Sequence, residues 1–63
     1  MEESFLDNVF DYIRNQYGKS VLKVVQADKN KTVISKLVEV SIRDHNSVEY
    51  AANKIVAMVR ANP

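Results

Sequence analysis

The stretch from residue 20 to residue 43 decides what this chain can become, because nine of its twenty-four residues are valine, isoleucine or threonine. A branched Cβ restricts χ1 and suits a pleated sheet better than a helix. SVLKVVQAD and KTVISKLVEVSIRD therefore read as two strands joined at Lys29-Asn30. The second closes with Val38, Val40 and Ile42 alternating with Glu39, Ser41 and Arg43, the pattern of a one-sided strand. A rival reading rests on Val33, Ile34, Leu37 and Val38, which also form a helical stripe; it makes residues 31–42 helical and the chain an all-α dimer. The branched residues favour the strands.

A two-residue turn at Lys29-Asn30 sets a simple register. Asp28 faces Lys31, Val25 faces Ile34, Lys23 faces Lys36 and Val21 faces Val38. Like charges directly opposed across a ladder are unfavourable. The register therefore needs a bulge at Ser35-Lys36 that turns Lys36 outward, an anion between the two lysines, or the helical alternative for residues 31–42.

The flanks are helical. Phe5, Leu6, Val9, Phe10, Ile13 and Tyr17 recur at helical spacing, with Asp7, Asp11 and Arg14 outside the stripe. Ser4 is placed to cap this first helix, and Gly18, the only glycine, stands where a left-handed C-terminal cap is wanted. Residues 47 to 61 return to the same period through Val48, Ala52, Ile55 and Val59, with Asn46 and Glu49 as an N-terminal capping pair. Ala51 and Ala52 permit a close neighbour, which puts this second helix at the centre. The expected fold is thus α+β, in the order α-β-β-α, with a two-stranded antiparallel hairpin packed on two helices. That order resembles double-stranded RNA-binding domains and small toxin ribonucleases in topology alone. Their third strand and their loop of glycine with histidine or lysine have no counterpart in this chain, so it implies no membership.

The chain has 63 residues, no cysteine and one histidine, His45. A single domain of this size hides only about 60% of the surface its unfolded chain exposes. With disulfides and a metal site excluded, self-association is the remaining way to steady so thin a core, and a homodimer is expected. Apolar residues at 46% and charged ones at 27% suit a folded protein. The acidic start MEESFLDNVF is unlike a signal or transit peptide, and no apolar run approaches a membrane span. A cytoplasmic protein without membrane contact is expected. An initial methionine and the lack of linkers suit a small independent gene of the bacterial or phage kind.

Charge is uneven although the net value is +1: residues 1 to 17 carry −3 and residues 18 to 36 carry +4. Lys19, Lys23, Lys29, Lys31 and Lys36 could neutralise phosphates of a nucleic acid. The segment from 18 to 36 holds no arginine or aromatic for base readout or stacking, and lysines at a hairpin tip also guard an edge against aggregation. Glu3, Asp7 and Asp11 read as a solvated helix face, with Arg14 in reach. Tyr50, Ala57 and Ala61 form a second apolar line on the last helix and are a candidate protein interface.

His45 follows Asp44 and could serve as a general base, but sequence neighbours in a loop do not make a convergent site. A single glycine excludes a glycine-rich phosphate loop, and no metal or cofactor is expected. The sequence thus points to a non-enzymatic interaction or regulatory protein that binds another macromolecule, with nucleic-acid binding through the hairpin lysines as the alternative.

Overall fold

The computed structural model describes the backbone of residues 2–61 and the side chains of residues 5–61. Among the described residues four helices follow one another: α1, Glu2–Tyr17; α2, Lys19–Val25; α3, Lys31–Arg43; and α4, Val48–Ala61. A single 3-10 turn, Asp28–Asn30, leads into α3.

The two expected strands are helices α2 and α3, and no strand occurs among the described residues. The α+β hairpin is therefore wrong, and the topological likeness to RNA-binding and ribonuclease domains falls with it. Burial explains why. Setting a branched residue in a helix costs at most about 0.7 kcal/mol, whereas fully burying a valine or isoleucine side chain gains about 1.5–3 kcal/mol. Along α3, Ile34, Val38 and Ser41 are buried and Leu37 and Ile42 half-buried, a set that only the helical period brings to one side; Val40, also half-buried, lies outside it. The alternation of Val38, Val40 and Ile42 misleads because a strand and a helix agree over so short a window: Val38 and Ile42 are also one helical turn apart. The rival stripe is the one adopted, with Val33 at its exposed margin. Lys23 and Lys36 sit on different helices, so their cross-strand conflict was a symptom of the wrong period.

Short, well-satisfied joints connect the helices. Gly18 serves both neighbours: its N–H donates to the Arg14 carbonyl at 3.0 Å and its carbonyl accepts from the Leu22 N–H at 3.2 Å. Its φ of 100° is positive as expected, but ψ is 166°, the extended mirror region open essentially to glycine alone and not the left-handed helical cap. A Cβ there would meet no atom within 4 Å, so backbone conformation, not space, requires the glycine. Helix α1 begins at Glu2, ahead of Ser4, which is therefore not its cap; the Ser4 side chain lies outside the described residues. Lys29-Asn30 does form a turn, but between helices: the buried Asn30 donates its Nδ2 hydrogen to the Val24 carbonyl at 2.8 Å, tying the end of α2 to the start of α3.

Helix α3 ends in a Schellman motif. The Asn46 N–H donates to the Ser41 carbonyl at 2.8 Å and the His45 N–H to the Ile42 carbonyl at 3.1 Å, with His45 itself at φ 58°. Helix α4 is capped by Ser47, whose Oγ accepts from the Tyr50 N–H at 3.0 Å. The expected cap at Asn46 is thus displaced by one residue, since Asn46 is spent on closing α3.

Val9 and Ile13 of α1, Val25 of α2, and Ile34 and Val38 of α3 meet five residues of α4: Ala51, Ala52, Ile55, Val56 and Val59. Half of the buried apolar residues belong to α4, so it is the central element. The two joints with positive φ predict opposite responses. Gly18→Ala should lower stability by about 1–3 kcal/mol. His45→Gly should raise it by about 0.5–1 kcal/mol, because glycine avoids the left-handed penalty at some cost in chain entropy. Thermal unfolding followed by circular dichroism reads both, at about 4–8 °C per kcal/mol for a domain of this size.

Candidate interaction groove

Helix α1 packs closely along α4 and α2 and only lightly against α3. The gap left between α1 and α3 is a groove of about 470 Å³. Its floor is Ile34 and Val38, its walls include Leu6 and Ile42, and Ser35, Glu39 and Arg43 stand along it. A second depression of about 300 Å³ shares Leu6, Ile34 and Ser35 and extends the groove past Phe10 to Asp28 and Lys31 at the α3 N-terminus. The groove is therefore apolar along its length, with one acid and one base at each end.

The walls are held from behind. Tyr17 donates its hydroxyl hydrogen to Asn53 Oδ1 at 2.7 Å, and the Arg60 guanidinium carbon lies 5.3 Å from the centre of the Tyr17 ring, a cation–π distance. These contacts fix the end of α1 onto α4. The two ion pairs among the described residues, Asp11 with Arg14 at 3.2 Å and Arg43 with Asp44 at 3.5 Å, are exposed, and such pairs contribute only about 0–1 kcal/mol. Arg43 is thus free to exchange its partner at small cost. No buried side-chain polar atom lacks a partner among the described residues.

The five lysines proposed for nucleic acid are all exposed but spread over three elements: Lys19 and Lys23 on α2, Lys29 in the 3-10 turn, and Lys31 and Lys36 on α3. Lys19 and Lys23 are one turn apart and share a face; Lys31 and Lys36 are five positions apart and do not. Lys31 belongs to the groove. His45 is occupied structurally, its backbone forming the end of α3, and its side chain is exposed. Tyr50, Ala57 and Ala61 lie exposed on the outer side of α4, with Lys54 Nζ 5.9 Å from the Tyr50 ring centre. Asp7 and Asp11 are exposed, and Asp11 pairs with Arg14; the Glu3 side chain lies outside the described residues. No group of three histidine, cysteine, aspartate or glutamate side chains that could hold a metal occurs among the described residues, and no helix among them is long and apolar enough to cross a membrane.

The groove itself escaped sequence reasoning. Its signal is the run Ile34, Val38, Ile42 beside the run Lys31, Ser35, Glu39, Arg43, each stepping by four. Neither ridge has meaning until the segment is read as a helix.

Tyr12 is half-buried on α1, and its phenol is raised above the ordinary value of 10.0, first by desolvation and then by the negative charge of Glu49. The folded state therefore holds this proton to higher pH than the unfolded chain does. The stability it contributes is present below the unfolded pKa near 10 and is lost as pH rises through the folded one. Unfolding temperatures measured from about pH 9 to about pH 11 should fall less steeply for Tyr12→Phe than for the parent chain. No protein-family model, no curated protein and no solved structure matches this chain.

Proposed function

We propose that this chain is a small non-enzymatic interaction protein of the cytosol, whose working surface is the α1/α3 groove and whose ligand is an α-helix of another polypeptide. The observation that carries the reading is the groove: an apolar trough between α1 and α3, with charges at each end. An amphipathic helix fits such a trough by laying apolar residues one turn apart along its floor, while polar residues at the ends fix direction and register. Its floor, Ile34 and Val38, belongs to the hydrophobic core, so the groove is largely preformed and a ligand gains contact without first ordering the receptor.

Selection from a displayed library of amphipathic helical peptides tests this. Binders are expected, and Leu6→Lys on the groove wall should weaken them about tenfold or more by placing an unpaired charge against apolar surface. Binders indifferent to Leu6→Lys, or none at all, would remove the groove from the recognition of foreign helices. Titration with labelled DNA and RNA at about 50 mM and 200 mM salt covers the alternative. Tight binding with a steep salt slope, lost on replacing Lys19, Lys23, Lys29, Lys31 and Lys36, would move the function to those lysines.

A further inference from the structure

The groove carries a charge order that identifies its occupant. From one end to the other it presents Asp28 and Lys31, then the small Ser35 beside apolar Ile34 and Val38, then Glu39 and Arg43. The order of sign is minus, plus, uncharged middle, minus, plus. Reversed end for end, the same series becomes plus, minus, middle, plus, minus, which opposes every charge with its counter-charge. We infer that the occupant of the groove is a second copy of this chain, related by a two-fold axis at Ser35. The inference rests on the groove being a protein-docking surface and names the protein.

Sequence spacing supports the register. Lys31 and Glu39 each lie four positions from Ser35, so in an antiparallel pair the Lys31 of one protomer meets Glu39 of its partner, twice over. Asp28 and Arg43 lie seven and eight positions from Ser35 and stand at the two outer ends of the same series, Asp28 in the 3-10 turn that leads into α3. Lys31, Ser35, Glu39 and Arg43 form one ridge of i, i+4 steps, and Ile34, Val38 and Ile42 the next. Serine at the axis permits the helices to approach where the two copies are closest. An isologous contact of this form closes on itself and leaves no repeating edge. It also covers Leu6, Phe10 and Ile42, side chains that one copy leaves half-buried. Lys36 lies to the side of the ridge and takes no part.

Charge exchange gives the test. Glu39→Lys opposes two positive side chains and Lys31→Glu two negative ones, so each variant alone should dimerise at least tenfold more weakly than the parent chain in sedimentation equilibrium. Mixed in equal amounts, the two variants restore both pairs and should recover the dimer as a heterodimer. The parent dimer should loosen as salt is raised. A Ser35→Cys variant should be joined by a short thiol crosslinker while Asn15→Cys, on the far side of α1, is not. Circular dichroism of each variant confirms the helical fold, since every altered side chain is exposed. A parent chain that remains monomeric at about 100 µM, where a micromolar dimer is nearly complete, overturns the inference and leaves the groove to a different polypeptide. Dimers that ignore both charge reversals overturn this interface. Failure of the peptide selection beside a successful heterodimer would instead limit the groove to self-association.

Discussion

Gly18 is the constraint on which the arrangement depends. Sixteen residues of α1 are followed at once by α2, with a single residue between them. A change of direction in so little chain requires a backbone state that side chains with a Cβ avoid, and φ 100° with ψ 166° is such a state. Because the joint consumes no loop, α2 is held beside α1 and α4 and delivers Val25 into the centre. The Asn30 bond to Val24 then directs the chain into α3. Each later contact inherits the direction set at residue 18.

Economy in the joints matters because the core is thin. Stability of roughly 0.05–0.15 kcal/mol per residue leaves so short a chain only a few kcal/mol, comparable to two or three good caps at about 1 kcal/mol each. Asn30, His45 and Ser47 each satisfy groups that a helix end would otherwise leave open. His45 shows the compromise: a left-handed residue that is not glycine, accepted because two carbonyls of α3 find donors through that turn.

The two outer helices were legible in the sequence and the two inner ones were not, for one reason. In α1 and α4 the apolar residues hold helical period over three turns or more, and no strand sets Phe10 with Ile13, or Ala52 with Ile55, on one face. In the middle segment the period is contested over short windows, and the branched residues point the other way. Tertiary burial settled it, as it does whenever the propensity difference is a fraction of a kcal/mol per residue. The opposition of Lys23 and Lys36 was the visible flaw in the hairpin, because a correct register seldom requires a buried or opposed like pair. The cap at Ser47 in place of Asn46 has the same origin: once α3 runs to Arg43, Asn46 is needed to close it.

The groove follows from the same geometry. Helix α4 can receive both α1 and α3 on its apolar face because Ala51 and Ala52 let a neighbour come close. Two helices set on one narrow helix diverge on the side away from it, and the flanks that face the gap, Leu6 and Phe10 on one side and Ile42 on the other, stay half-buried. A larger protein would fill that gap with a further helix of its own. In this chain the ridge along it reads lysine, serine, glutamate, arginine at steps of four, and in the proposed two-fold pairing that ridge supplies the missing wall.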